Sequence, residues 1–186
     1  MLKRLFVIFT ICSELLLADS LPNSLYDISV KTPEGSTMPL SALRGRVVLI
    51  VNTASSDRYA TQMQTLEEVY QRFYEQGFVV LAFPSDDFMN EATEEGAKLR
   101  ALYAEKFRVS FPVLAKVNVK GPNISPLYAF LTSSTTNPTF GWEVDWNFTK
   151  FLLSRSGAVI NRFSTTTEPN DPKMIAAIEK ALAEKS

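Results

Sequence analysis

One run constrains this chain more than any other: Val47-Val48-Leu49-Ile50-Val51, apolar and mostly β-branched, continued by Asn52-Thr53-Ala54-Ser55-Ser56 and ending at Asp57. Apolar residues without polar alternation read as a central strand that is fully buried. A second such run, Phe78-Val79-Val80-Leu81-Ala82-Phe83, stops at Pro84. Between the two, Met63, Leu66, Val69, Tyr70 and Phe73 recur at helical spacing, which predicts a helix over 61–76 with Gly77 as its stop. A side chain at the strand-to-helix turn faces the positive end of the helix, where an anion is stabilised. Asp57 holds that position.

The remaining segments extend the same pattern. Residues 25–30 alternate apolar and polar, and Pro33-Glu34-Gly35 turns them towards 37–40, so an N-terminal hairpin is expected. A second helix is predicted over 94–107 with Leu99, Leu102 and Tyr103 inward, then an extended piece at 111–114. A short helix follows at 126–131, and 132–138 reads as irregular. Residues 151–153 and 158–160 flank Arg155-Ser156-Gly157 as strand, turn and strand. Asp171-Pro172 opens a final amphipathic helix through Ile175, Ile178 and Leu182. The sum is an α/β domain, a three-layer α/β/α sandwich with an N-terminal β-hairpin.

Composition narrows the chemistry. The 186 residues contain one cysteine, Cys12, and no histidine. Cys12 lies in a segment with a basic start, Lys3-Arg4, an apolar stretch over 5–12 continued at 15–18, and a small-x-small site, Ala18-Asp19-Ser20. Residues 1–20 are therefore expected to be a signal peptide that exports a domain spanning 21–186 to the secretory pathway or periplasm. The apolar run is short and interrupted by Glu14, so no stable membrane span is expected once it is cleaved. The exported chain then has no thiolate nucleophile, disulfide or sulfur ligand, and no imidazole to act as base. A net charge of −1 argues against a nucleic-acid surface. No cofactor and no metal is expected.

Five blocks in order carry a family resemblance. They are the Gly45–Ser56 strand, Leu81-Ala82-Phe83-Pro84-Ser85-Asp86-Asp87-Phe88, Phe111-Pro112, Gly121-Pro122-Asn123 with Pro126-Leu127-Tyr128, and Trp146-Asn147-Phe148-Thr149-Lys150-Phe151-Leu152. Together they resemble the glutathione peroxidase family, with its thioredoxin-like fold, over about 24–183. The resemblance implies reduction of hydroperoxides by a Cys or selenocysteine aided by Gln, Trp and Asn. It places the reactive atom at Asp57, the glutamine at Glu91, and the pair at Trp146 and Asn147. The second cysteine position is Ser85, and the second helix, which holds the resolving cysteine in thioredoxin-dependent members, has none. The short segment between Leu131 and Trp146 implies a monomer.

A carboxylate is a hard, weak nucleophile with no accessible two-electron redox state, so thiol-peroxidase chemistry is expected to be lost. The resulting expectation is an exported pseudoenzyme that binds an unknown protein or small-molecule partner. Two other readings stay open: an active hydroperoxide reductase of the oxidative-stress response, or a hydrolase using Asp57 and Glu91 as a carboxylate pair. Blander roles are also open. Asp57 can simply cap the next helix, Trp146 can be core, and Asn147 can bond backbone. The Asp86-Asp87 pair with Glu91, Glu94 and Glu95 reads as a solvated acidic loop rather than a cation site. Two glycosylation sequons occur, at Asn123 and at Asn147; Asn123 is the candidate because Asn147 is expected to be buried.

Overall fold

The computed structural model describes residues 21–92 and 94–184, so the expected signal segment and Cys12 lie outside the described residues. The chain runs through β1 (Ser29–Lys31), β2 (Thr37–Pro39), β3 (Val47–Thr53), α1 (Gln62–Phe73), β4 (Phe78–Pro84), α2 (Gly96–Lys106), α3 (Pro126–Thr132), β5 (Lys150–Leu153), β6 (Val159–Phe163) and α4 (Pro172–Ala183). β1 and β2 form the antiparallel hairpin, and the main sheet has the order β4-β3-β5-β6. β3 and β4 are parallel, with Val47 opposite Phe78 and Thr53 opposite Pro84. β5 runs antiparallel to β3, and β6 antiparallel to β5.

The continuous apolar runs follow from this placement. Every residue of β3 and β4 is buried, because alternate side chains enter two different cores. Val48, Ile50, Leu81, Phe83, Phe151 and Leu153 point to the face covered by α3 and the hairpin. Val47, Leu49, Val51, Phe78, Val80 and Leu152 point to the face covered by α1, α2 and α4. Each fully buried Leu, Ile or Phe contributes about 1.5–3 kcal/mol of transfer free energy. The three-layer arrangement expected from the sequence is the observed one. Gly77 takes φ 94° after α1 and a short 3₁₀ turn, a left-handed stop that suits glycine.

Local departures have physical reasons. The first hairpin strand begins at Ser29 rather than Leu25, and Leu25–Asp27 forms a 3₁₀ turn capped by Ser24. Leu25 and Tyr26 are both buried, and a strand cannot send two neighbours to one face. α2 begins at Gly96 instead of Glu94, and Leu102 is only half-buried while Leu99 and Tyr103 are buried, four residues apart. Residues 111–114 make a single bridge, Val113 to Ala82, rather than a strand. Ala82 N donates to Pro112 O at 3.0 Å, but Pro112 has no N–H to extend the ladder. Strand β5 gains Lys150, and β6 starts at Val159, with a register shift at Leu152/Leu153.

Lys150 is a charged side chain in the core, fully buried. Its ammonium donates to Thr167 O at 2.7 Å and to Ser164 O and Thr165 O at 3.4 Å. Burial pulls it down to about 7, against the upward pull of Glu168. Above that value the unfolded chain binds a proton that the folded chain does not, so this residue makes stability rise with pH up to the ordinary lysine value. The stability difference between the parent chain and Lys150→Met should therefore shift towards the parent above neutral pH, by up to about 1.4 kcal/mol per unit. Denaturant titrations of both proteins at neutral and mildly alkaline pH check this, and parallel pH curves would refute it.

Candidate functional site

β3 delivers Asp57 to a tight turn before α1, where Ala60 N donates to Asp57 O at 3.0 Å. The side chain is 5% exposed and three N–H groups meet its carboxylate. Tyr59 N donates to Oδ1 at 2.6 Å, while Trp146 Nε1 and Asn147 Nδ2 donate to Oδ2 at 2.9 and 3.0 Å. The same Asn147 Nδ2 also donates to Glu91 Oε2 at 3.1 Å. All four residues singled out from the sequence thus meet in one cluster. Charge-assisted bonds of this kind are the stronger hydrogen bonds of proteins.

The helix-cap role of Asp57 and the backbone-bonding role of Asn147 are not the observed ones, while the core role of Trp146 holds in part. Asp57 does not cap α1, which starts at Gln62 behind Thr61 with no side-chain cap bond; its acceptors serve the preceding turn and the two distant side chains. Trp146 is half-buried against Phe88, with ring centroids 5.1 Å apart, and its N–H goes to the carboxylate. The amide of Asn147 bonds two carboxyl groups, not backbone. The acidic loop is not simply solvated either. Asp86 Oδ2 pairs with Lys116 at 2.5 Å and its Oδ1 accepts from Ala92 N at 3.0 Å, while Asp87 Oδ2 accepts from Val119 N at 2.5 Å. Those two residues stitch the segment after β4 to residues 116–119. Among the described residues, no three Asp, Glu, His or Cys side chains could hold a metal ion together.

Several residues that position the cluster escaped the sequence reading. Asn52, fully buried in β3, donates from Nδ2 to Trp146 O at 3.1 Å and accepts from Thr149 N at 3.1 Å through Oδ1. Its backbone O accepts from Phe148 N at 2.7 Å. Phe148 itself is fully buried with φ 60°, a genuine outlier for a bulky residue, and this turn aims Asn147 at Asp57. Thr165 Oγ1 donates to Asn147 O at 2.7 Å. The available signal was an amide inside a strand that is otherwise apolar, since such a group has to find partners.

Glu91 is half-buried. Its carboxyl lies above the usual range, first because of burial and then because of Asp57 beside it, while Asn147 and Arg58 pull the other way. A groove of about 830 Å³ opens next to Asp57, between the start of α1 and the end of α2. Charges of both signs line it: Glu67, Glu68, Glu105, Lys106 and Arg108. Of the two sequons, Asn123 is exposed and Asn147 fully buried.

Known proteins share the architecture. A thiol:disulfide interchange protein of the thioredoxin family from Chlorobium tepidum, 14% identical, matches with a TM-score of 0.58 over 84% of this chain and 93% of its own. Fold and strand-to-helix site together define a thioredoxin-like domain. The glutathione peroxidase family model matches residues 25–132. Glutathione peroxidase-like peroxiredoxin gpx1 of Schizosaccharomyces pombe is 41% identical, covering 77% of this chain and 90% of that protein. Hydroperoxy fatty acid reductase gpx1 of Synechocystis is 37% identical over 86% of this chain and 96% of its own. The solved structure of Trgpx in apo form is 35% identical with a TM-score of 0.70, covering 88% of this chain and 98% of that one. This chain belongs to the glutathione peroxidase family.

Proposed function

We propose that this chain is an exported, non-redox member of its family, which binds a partner or ligand instead of reducing hydroperoxides. One observation carries the reading: a carboxylate, that of Asp57, receives Trp146 Nε1–H and Asn147 Nδ2–H at the position where the resemblance puts sulfur or selenium. Peroxide reduction requires an atom that attacks O–O, takes up oxygen and is reduced again by thiols. Asp57 can do none of this. The charged groove beside it supplies room for a ligand of either sign. Export rests on the basic and apolar pattern of residues 1–20, and in a eukaryotic secretory pathway Asn123 would carry the glycan. The domain acts as a monomer in this reading.

The names of the relatives favour hydroperoxide reduction, and a direct assay decides. A chain starting at Leu21, mixed with hydrogen peroxide or an organic hydroperoxide and either glutathione or reduced thioredoxin, should consume peroxide no faster than buffer. Sustained turnover, many peroxides per chain, would overturn the proposal. The hydrolase reading has less support: a general base or nucleophile needs a free lone pair and unoccupied donors for the developing oxyanion. Here three donors are already directed at Asp57.

A further inference from the structure

The pairing of Glu91 with Asp57 has features that a passive surface carboxylate would not show. Both carboxyl groups accept from the one Asn147 Nδ2, at 3.1 and 3.0 Å, so their oxygens lie no further apart than those two bonds laid end to end. Asp57 is buried, so two full negative charges here would repel strongly. Glu91 also follows two consecutive non-glycine residues in the left-handed region, Met89 at φ 56° and Asn90 at φ 55°. That conformation is costly for residues with a Cβ. The turn is held at its ends: Asn90 N donates to Asp86 O at 3.4 Å, Ala92 N to Asp86 Oδ1 at 3.0 Å, and Ser56 N to Glu91 O at 3.0 Å. Met89 is 76% exposed and adds nothing to closure by burial. What keeps the Glu91 side chain over the cluster is its bond to Asn147 and its contact with Asp57.

We propose that Glu91 is a proton-operated latch on the Asp57–Trp146–Asn147 cluster, closed while its carboxyl is protonated and released when it ionises. Closed, the neutral carboxyl tolerates the anion of Asp57 and occupies the amide of Asn147. Released, its side chain turns to solvent from a main chain that Ser56 N holds in place, and one N–H of Asn147 beside Asp57 is freed. The groups that set the balance are few. Asp57 and Arg58 face Glu91 from the turn after β3, and Asn147 from the approach to β5 is neutral. Lys106 at the end of α2 is engaged with Ser55 O at 2.7 Å, and Asp86 with Lys116. The burial and like-charge effects that raise Glu91 place the release nearer neutral pH than an isolated glutamate would. The latch stands on this geometry whatever the site binds.

Trp146, bonded to Asp57 and packed at a tilt against Phe88, reports the state of the latch. The chain has two tryptophans, so Trp142→Phe leaves Trp146 as the only reporter. Its emission and acrylamide quenching are followed between about pH 4 and 9, with far-UV circular dichroism at each point. The expected result is one sigmoidal change centred above the ordinary glutamate range, with the circular dichroism constant. Adding Glu91→Gln should abolish it. Adding Asp57→Asn should lower its midpoint, because the like charge is gone. A flat profile with Glu91 present, a transition that survives Glu91→Gln, or one that coincides with loss of secondary structure would each overturn the latch.

Discussion

Asp57→Cys combined with Glu91→Gln is expected to turn the domain into a slow hydroperoxide reductase, at least about tenfold above the parent chain. The positioning is already present. The two N–H donors that now meet Asp57 Oδ2, from Trp146 and Asn147, would meet a thiolate instead, and donors aimed at an anion lower its pKa. Glu91 has to change as well. Protonated, it would keep the Asn147 amide from the introduced thiolate; ionised and still close by, it would raise the thiol and deplete the thiolate by about tenfold. The single substitution Asp57→Cys should therefore lag the double one by about tenfold. A chain starting at Leu21 would contain no other cysteine, so thiol titration and peroxide loss would report on this one sulfur. If the double variant folds, shows a lowered thiol pKa and still fails to react, the pocket has been remodelled beyond the four residues.

The largest stability loss is expected from Gly141→Ala. A methyl group there would lie 2.5 Å from the carbonyl carbon of Ser133 and 2.6 Å from Asn137 O, both backbone atoms that cannot step aside. The loop is already drawn tight: Gly141 N donates to Asn137 O at 2.7 Å, and buried Asn137 donates from Nδ2 to Phe130 O at 2.6 Å. The predicted cost is about 3 kcal/mol or more. Gly35→Ala provides the control, since that position has φ 83° but open space around it, and should lose only about 1 kcal/mol. Denaturant midpoints at constant slope compare the two. Equal losses would contradict the argument. Residues 140–145 lead into Trp146 and are pinned by Arg162, which donates to Glu143 O at 2.8 Å and stacks on Trp142, so the damage should reach the site as well.

The fold was legible wherever burial had only one solution. β3 and β4 could be read because a strand covered on both faces leaves no place for polar residues, and α1 because its apolar stripe repeats at helical spacing. Residues 25–28 were misread since alternation is blind to a turn that buries two neighbours. Asp57 was found at the strand-to-helix turn, Glu91, Trp146 and Asn147 through the resemblance, and the structure brings the four together. Their supports were not found. Nothing local in the sequence says that Asn52 bonds to a turn some ninety residues away at Trp146, or that Asp86 and Asp87 face ammonium and amide groups rather than water. Long-range polar pairing carries no period, so it escapes any reading of windows.

The three N–H groups on Asp57 also bear on timing. A sulfur centre changes charge, size and bonding each time it is oxidised, so anything docked against it feels the redox poise of the compartment. A carboxylate in the same cradle is blind to oxidants and reductants alike. Under the proposed binding role, a partner would meet the same shape in a reducing cytosol and an oxidising extracellular space, and acidity becomes the variable that can tell the protein where it is.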